Sequence, residues 1–452
     1  PFKIGVFTGA STGDTIDGSL TRANAIKFRT PYQTNRDTRN AINNRKIHDS
    51  IDYFDMHLSQ VAQEIRYGFL GGVDVAIVEA CEVSKDGKIV PTAGVGIMPT
   101  ICRMAKTVIV ELNSKVPSSL KGIHDLYELQ DPPKRKHINI FDVQGRVGLE
   151  YVKVDPEKIV VVETNEESEG GGFAAIDETT ARIGDNVANF FVNEMKAGRI
   201  PQTFLPIQSG VGNIANAVLG SMGSNKAIPR FDVYTEVIQD AVLDMMREGK
   251  ISFASGCSLT VSNEQLHQLY EDINFFRDKL VLRPSEISNN PGLVRRLGVI
   301  GINTAIEVDV FGNVNSTHVM GNNIMNGIGG SGDFTRNSYI SIFVTPSVAK
   351  NGDISCIVPQ VTHTDHTEHS VKIIVSEYGV ADLRGKGPHQ RAREIIEKCA
   401  HPDYRPMLHE YITLQQNGHT PQSLYGCYEL HKSFLETGSM KNADFSKYKK
   451  QA

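Results

Sequence analysis

The sequence predicts an α/β fold made of two related open α/β domains. Short β-favouring apolar runs alternate along the chain with segments whose apolar residues recur at the three-and-four spacing of a buried helical stripe. One plan also occurs twice: a strand, tight turn and strand over 79–96 precede a strand at 107–112, and 306–321 precede 339–344 in the same way. Because the copies begin 227 residues apart, from 79 to 306, a solenoid is excluded and a duplicated domain is predicted.

The first predicted domain covers residues 1–198 and opens on an apparently internal strand, which predicts that its first elements are lacking. Its helices are expected at 53–66 and 177–195, where apolar residues recur at helical spacing. The strands are predicted from short apolar runs at 3–7, 73–78, 107–112 and 158–163. A proline-containing segment at 199–206 follows a helix stop at Gly198 and is the predicted linker.

The second predicted domain covers residues 199–452 and contains two glycine-rich turns of interest. The turn at 208–213 feeds a helix, and the loop at 327–334 holds four glycines within six positions. Glycine at that density is costly in entropy unless unusual φ values or close backbone approach require it, which predicts a loop that lines a site. The other elements are predicted as strands at 231–234, 251–255 and 339–344, a strand entering a glycine turn over 373–385, and helices at 236–248, at 266–276 and from about 388.

Glu236 lies at the junction of the predicted strand and helix that together span 231–249. With Thr235 as N-cap, the helix would hold Glu236 in its first turn, where the helix dipole lowers the pKa of a carboxyl group. An ionised carboxylate at the carboxyl end of a strand can act as a base or a nucleophile. The alternative is that Glu236 only complements the helix dipole, as acidic residues in first turns commonly do.

Composition argues against several classes of protein. A formal net charge of −5 does not suit a general nucleic-acid binder. No apolar run approaches the ~18 residues of a membrane span and residues 1–10 do not form a signal peptide, so no membrane association and a cytoplasmic location are predicted. The six cysteines form no CxxC pair, which argues against a disulfide framework and a thiolate zinc site.

Three histidines and two carboxylates crowd the segment 363–369. The histidine spacing, HxxHxxH, matches no established metal motif. A hydrogen-bonded polar turn is therefore expected there, with a metal site as the alternative.

The second half carries a set of motifs that resembles the acetyl-CoA hydrolase and CoA-transferase family, which includes succinyl-CoA:acetate CoA-transferases. The matching stretches lie in order along the chain, and two in the first half extend the likeness. In sequence order they are FTGASTG (7–13), YFDMHLSQV (53–61), QSGVGNIANAV (208–218), TEVIQD (235–240), NPGLVRRLG (290–298), NGIGGSGDF (326–334), SEYGVADLRG (376–385) and KCAHPDYRPML (398–408).

The resemblance implies two domains of the class I CoA-transferase type with Glu236 as nucleophile. In the family's scheme the glutamate attacks an acyl-CoA thioester, giving a mixed anhydride and CoA thiolate. The thiolate then attacks the glutamyl carbonyl to form a glutamyl-CoA thioester, and an acceptor carboxylate reverses the sequence. A carboxylate suits this chemistry because it forms a reversible anhydride that retains the thioester energy.

The resemblance also implies roles for residues around Glu236. The backbone N–H groups of Val211 and Gly330 are expected to stabilise the oxyanions, and the Asn289 side chain is expected beside the glutamate. The residues expected to contact CoA are Gly210, Gly212, Asn213, Gly329 and Ser331.

Three functions remain open from the sequence. The first is a ping-pong CoA-transferase acting on a short-chain acyl-CoA (acetyl-, succinyl-, propionyl- or butyryl-CoA) and a small carboxylate. The second is a hydrolase of the same fold, in which water intercepts the intermediate, and the third is a nonenzymatic sensor of CoA or a metabolite. A nucleophile among oxyanion donors argues against the sensor. The resemblance implies a homodimer, CoA as substrate and product, and neither a permanently bound cofactor nor a metal.

Overall fold

The computed structural model describes residues 2–44, 50–167, 176–415 and 417–449. The first half contains a three-stranded sheet, in the order β1-β2-β3, and a five-stranded sheet, in the order β7-β5-β4-β6-β8. The strands are β1 (Ile4–Phe7), β2 (Ile26–Thr30), β3 (Asp52–Tyr53), β4 (Val75–Val83), β5 (Lys88–Pro91), β6 (Thr107–Asn113), β7 (Val152–Lys153) and β8 (Ile159–Thr164). The helices are α1 (Ser19–Arg22), α2 (Arg36–Asn43), α3 (Leu58–Tyr67), α4 (Met98–Met104) and α5 (Glu178–Lys196).

The second half is built on an eight-stranded sheet, in the order β14-β12-β10-β9-β15-β20-β24-β25, of which only β25 runs antiparallel to its neighbour. Its strands are β9 (Ile207–Ser209), β10 (Phe231–Tyr234), β12 (Ile251–Gly256), β14 (Leu280–Leu282), β15 (Ile300–Thr304), β20 (Ile340–Val344), β24 (Ile373–Ser376) and β25 (Gly379–Asp382). The shorter strands are β11 (Val237–Ile238), β13 (Ser258–Leu259), β16 (Glu307–Asp309), β17 (Val314–Asn315), β18 (His318–Val319), β19 (Asn323–Ile324), β21 (Val348–Ala349), β22 (Ile354–Ser355) and β23 (Ile357–Val358).

Helices of the second half flank this sheet and form the C-terminal region. Residues 340–344 and 373–376 are buried along their whole length, as expected for central strands of a parallel sheet that is covered on both faces. The helices are α6 (Asn213–Ser224), α7 (Asp240–Arg247), α8 (Asn263–Glu271), α9 (Ile273–Arg277), α10 (Ser285–Ser288), α11 (Pro291–Leu297), α12 (Ser331–Thr335), α13 (Pro388–Cys399), α14 (Arg405–Leu414) and α15 (Glu429–Thr437).

The two halves share one pairing scheme, which confirms the predicted duplication. In the first half β4 pairs antiparallel with β5 and parallel with β6, and β6 pairs parallel with β8. In the second half β15 and β16 together take the place of β4. β15 pairs parallel with β20, β16 pairs antiparallel with β17, and β20 pairs parallel with β24.

The halves also share part of their core. One cluster of buried apolar residues includes Val61 and Val78 from the first half and Ile207 and Ile342 from the second. Helix α5, which precedes the predicted linker, packs against α6 and against β24 and β25. The boundary at residue 198 stays a prediction. No helix among the described residues is long and apolar enough to cross a membrane.

The sheet order gathers several strand ends at one edge. β9, β10 and β12 are parallel neighbours, so Ser209, Tyr234 and Gly256 end their strands on the same side of the sheet. Ligands of open α/β sheets bind outside the carboxyl ends of the strands. The residues directly after these strands are therefore the place to look for a site.

Candidate active site

Glu236 lies between two strands, and the predicted position in the first turn of a helix is wrong. After β10 the chain bends at Glu236 and then forms β11, in which Val237 and Ile238 pair with Ser258 and Leu259 of β13. Helix α7 begins only at Asp240. Thr235 is not its N-cap, and its hydroxyl donates instead to the Ser209 carbonyl at 3.1 Å. Residues 237–238 thus form a strand that pairs with β13, and not the first turn of a helix.

Asn289 and Gly330 lie directly against the Glu236 carboxylate. Asn289 Nδ2 donates to Glu236 Oε2 at 2.7 Å, and the asparagine is fully buried after helix α10. A Cβ atom added to Gly330 would overlap Glu236 Oε2 and Asn289 Nδ2. The absence of a side chain at position 330 is what lets the glycine-rich loop approach the carboxylate so closely.

The loop that contains Val211 is fixed by a residue that the sequence analysis did not single out. Gln239, fully buried before α7, donates from Nε2 to the Gly210 carbonyl at 2.7 Å and accepts from the Gly212 N–H at 3.2 Å. Gly212 has a φ of 119°, a conformation that favours glycine. The short segment 236–239 therefore carries Glu236 and also holds the loop of Val211.

A cavity of about 710 Å³ opens in front of Glu236 and is lined by both halves. The second half contributes Gly210, Val211, Gly329, Gly330 and Ser331 of the predicted site, together with Glu236. Gly212 and Asn213 are not among the lining residues. The first half supplies residues 10–13, Tyr32, Thr34 and Ala93. Of these, only residues 10–13 could be anticipated from the sequence, because they belong to the motif FTGASTG.

The histidine-rich segment supports the glycine-rich loop. His366 is buried, and its Nε2 lies 3.0 Å from the Ser331 hydroxyl, which donates to the Ile328 carbonyl at 2.7 Å. Burial lowers the pKa of His366 to about 3, so the ring is neutral at physiological pH. The hydrogen-bonded polar turn is thus present at His366. The described residues contain no group of three or more His, Cys, Asp or Glu arranged to hold a metal ion.

Two CoA-transferases match almost the whole chain. Propanoyl-CoA:succinate CoA transferase of Escherichia coli (strain K12) is 47% identical over 441 residues, which cover 97% of this chain and 89% of that protein. The chain belongs to the acetyl-CoA hydrolase/transferase family. Succinyl-CoA:acetate CoA-transferase of Clostridium kluyveri is 49% identical over 444 residues, covering 97% of this chain and 82% of that protein.

Other members of the acetyl-CoA hydrolase/transferase family are hydrolases. The acetyl-CoA hydrolase of Schizosaccharomyces pombe is 40% identical over 458 residues, covering 97% of this chain and 86% of that protein. The models of the family's N-terminal and C-terminal domains match residues 1–163 and 266–412. The chain is therefore an enzyme, a CoA-transferase or an acetyl-CoA hydrolase, and the sensor hypothesis is not supported.

Solved structures confirm the fold of this family in the chain. RipA from Yersinia pestis superposes with a TM-score of 0.68 at 21% identity, covering 89% of this chain and 85% of that one. A 4-hydroxybutyrate CoA-transferase from Porphyromonas gingivalis superposes with a TM-score of 0.62 at 22% identity, covering 89% and 92%. At this identity the likeness concerns the fold alone, and it agrees with the predicted class I CoA-transferase architecture.

The environment of Glu236 raises the pKa of its carboxyl group, so the predicted lowering by a helix dipole is wrong. Burial raises this pKa from its ordinary 4.5 to about 7, the negative charge of Asp333 acts in the same direction, and the hydrogen bond from Asn289 opposes both. The N-terminus of α7 does not supply the predicted dipole at the group, since α7 starts four residues later. Near pH 7 the Glu236 carboxyl group is thus divided between its protonated and ionised forms.

This raised pKa predicts a pH-dependent cost to stability. In the unfolded chain Glu236 ionises near 4.5 and in the folded chain near 7, so between these values the folded state binds the extra proton. The contribution of Glu236 to the free energy of unfolding is fully present below pH 4.5. It is lost as the pH rises through 7, which lowers the free energy of unfolding by about 3 kcal/mol. Glu236→Gln removes this loss, because the glutamine side chain does not ionise. Its free energy of unfolding, measured in urea, should exceed that of the wild type at pH 8 by more than at pH 5, and an equal difference at both would contradict the shift.

Gln239→Leu is expected to reduce kcat about 10- to 100-fold with little change in KM. The substitution leaves the Gly210 carbonyl and Gly212 N–H without their partner, so the loop between them loses its fixed position. Steady-state kinetics will test this, with Gln202→Leu as the control because the Gln202 amide lies in an exposed turn after α5. A change confined to KM would show instead that the loop serves only in binding.

Proposed function

We propose that the chain is a CoA-transferase that moves CoA between a short-chain acyl-CoA and a small carboxylate by a ping-pong mechanism, with Glu236 as the nucleophile. The observation that carries the proposal is the carboxylate of Glu236 at the cavity wall, held by Asn289 Nδ2 at 2.7 Å and faced by the backbone of Gly330. A nucleophile aimed into a cavity beside fixed donors is the arrangement that covalent acyl transfer requires.

In the proposed first half-reaction an oxygen of ionised Glu236 attacks the thioester carbonyl carbon. The tetrahedral oxyanion collapses with loss of CoA thiolate and leaves a mixed anhydride. The thiolate then attacks the glutamyl carbonyl, the acyl carboxylate departs, and a glutamyl-CoA thioester remains. In the second half-reaction an acceptor carboxylate attacks this thioester and the same steps run in reverse, which restores Glu236 and gives a new acyl-CoA.

The proposed oxyanion donors are the backbone N–H groups of Val211 and Gly330. Both residues line the cavity, and among the described residues neither N–H hydrogen-bonds to another group of the protein. Preorganised donors of this kind are worth roughly 3 to 4 kcal/mol each in the transition state. Gly210, Gly329 and Ser331 line the same wall, which supports contact with the thioester portion of CoA, whereas Gly212 and Asn213 would act only through the loop and helix that they begin.

The proposed substrates follow from the relatives. Their names pair succinate with propanoate or acetate, so propanoyl-, succinyl- and acetyl-CoA are the first donors to test. CoA would enter as substrate and leave as product, without a permanently bound cofactor. A homodimer stays a prediction from the sequence resemblance, and a cytoplasmic location stays a prediction from the apolar pattern of the sequence.

Acetyl-CoA hydrolysis is the second candidate, supported by the 40% identity to the Schizosaccharomyces pombe hydrolase. In that reaction water would attack the anhydride or the glutamyl thioester in place of a carboxylate. The same nucleophile serves both functions, so the difference lies in how well the cavity excludes water.

Mass spectrometry after borohydride reduction tests the proposal. The protein is incubated with acetyl-CoA and reduced, and Glu236 alone should appear as the reduced alcohol that a thioester yields. Glu236→Ala should show no such product. An unlabelled wild type that still consumes acetyl-CoA would overturn the covalent route, and consumption unaffected by added carboxylates would favour hydrolysis.

A further inference from the structure

Asp333 is a buried carboxylate close to the proposed nucleophile. It lies in α12, directly after the glycine-rich loop, and is 4% exposed. No lysine or arginine among the described residues forms a salt bridge with it. Its partners are instead uncharged donors: the Ser59 hydroxyl at 2.6 Å, the Ser59 N–H at 3.0 Å and Asn289 Nδ2 at 3.4 Å. Burial of such a group is costly unless the fold or the function uses it.

Together with the hydrogen bond from Asn289 to Glu236, these three contacts form a chain from the first half to Glu236. Ser59 is in the first turn of α3, where N–H groups lack helical partners, and Asp333 accepts one of them. The other end of the chain is Asn289, whose Nδ2 is shared between Asp333 Oδ2 and Glu236 Oε2. The Asn289 oxygen is turned the other way and accepts from the Ser288 hydroxyl at 2.7 Å.

The charges around the Asn289 amide change during the proposed reaction. In the resting enzyme the ionised Glu236 itself holds Nδ2 toward it. Once Glu236 has become an anhydride or a CoA thioester, that negative charge is gone, and the amide loses one of the two carboxylates that favour this orientation. Asp333 retains its contact, and a flipped amide would bring Oδ1 against its carboxylate.

We propose, on the basis of the function proposed above, that Asp333 is a positioning residue that keeps the Asn289 amide donating toward the side-chain carbonyl of residue 236 while Glu236 is acylated. Ser59 anchors Asp333 from the first half. The donor then stays aimed at the oxygen that becomes an oxyanion when an acceptor carboxylate attacks the glutamyl thioester.

The same arrangement couples the charges of the site. The negative charge of Asp333 raises the pKa of Glu236, and burial raises the pKa of Asp333 itself. The other titratable groups that face the pair are Tyr32 and Cys257, which interact with Glu236, and His57, which interacts with Asp333. Removing the charge at position 333 should thus shift the pH dependence of the reaction, an effect that a purely structural role would not produce.

Asp333→Asn tests the proposal in two measurements. First, glutamyl-CoA enzyme is isolated after incubation with acetyl-CoA, and its discharge by an acceptor carboxylate is followed by rapid mixing; discharge should slow about 10- to 100-fold. Second, the acidic midpoint of kcat/KM should move to lower pH. Wild-type discharge with an unchanged midpoint would overturn the proposal.

Controls separate this effect from general damage. Asp309→Asn neutralises another fully buried carboxylate, one that is bound by backbone N–H groups of residues 311–313, and it should leave the midpoint unchanged. An equal shift in this variant would overturn the proposal.

If Asp333→Asn does not fold, Ser59→Ala is the second variant. It removes only the hydroxyl donor and should slow discharge of the glutamyl-CoA enzyme by a smaller factor; unaltered discharge would again overturn the proposal. A wild type that forms no glutamyl-CoA would defeat the proposed function itself, whereas normal discharge from labelled Asp333→Asn defeats only this inference.

Discussion

Glu236→Gln is expected to lower the rate of CoA transfer by about 10⁴-fold or more, because an amide cannot form the anhydride and removal of a nucleophile costs factors of this size. The side chain keeps its shape, and the Asn289 contact at 2.7 Å is lost or weakened without opening a cavity. Transfer is measured from acetyl-CoA to succinate, with binding of acyl-CoA followed separately. The expected loss lies in kcat.

Glu236→Asp is the matched comparison for this variant. It retains the carboxylate but withdraws it by one methylene, and a displacement of about 1 Å typically costs about 10²-fold. The expected order of rates is wild type, then Glu236→Asp, then Glu236→Gln. Near wild-type transfer by Glu236→Gln would remove Glu236 from the proposed mechanism.

Gly330→Ala is expected to reduce kcat about 10²- to 10³-fold, the scale of losing one oxyanion donor. Its added Cβ would overlap Glu236 Oε2 and Asn289 Nδ2, so either the carboxylate or the loop must move. Backbone strain is not the cause, since Gly330 has a φ of −87° that alanine adopts readily. Steady-state kinetics and borohydride labelling will show whether the covalent intermediate still forms.

Gly220→Ala is the control for the loss of a glycine. Position 220 lies within α6, is exposed, and has no atom within 4 Å of an added Cβ. There the substitution should stabilise the helix by about 0.5–1 kcal/mol and leave kcat unchanged. If Gly330→Ala behaved like Gly220→Ala, the close approach of the loop to Glu236 would have no catalytic importance.

Elements with a strong local pattern could be predicted closely from the sequence. Helix α5 was predicted at 177–195 and lies at Glu178–Lys196, with Asp177 as its N-cap and Phe191 and Val187 in the core. The duplicated strand plan could be predicted equally well, since apolar runs and turn residues that are close together in the sequence indicate strands and tight turns. Burial on both faces then follows from the parallel pairing.

The surroundings of Glu236 could not be predicted in the same way. Ile238 fits a helical stripe and a buried strand equally well, and only the pairing with Leu259 decides between them. The motif indicated Glu236 as the residue of interest, but its raised pKa depends on burial and on Asp333, which is 97 positions away in sequence. Gln239 and Asp333 act through tertiary hydrogen bonds that no local pattern reveals.

The anchoring of the Val211 loop by Gln239 has a mechanical consequence. Glu236 and Gln239 are three residues apart between β10 and α7, and Gln239 binds both ends of the Val211 loop, so Glu236 and this loop are joined as one unit. Residues of the first half line the same cavity. If the halves open and close to admit CoA, this unit moves as a whole, and the entrance changes width while the reacting group and the Val211 amide keep their mutual distance.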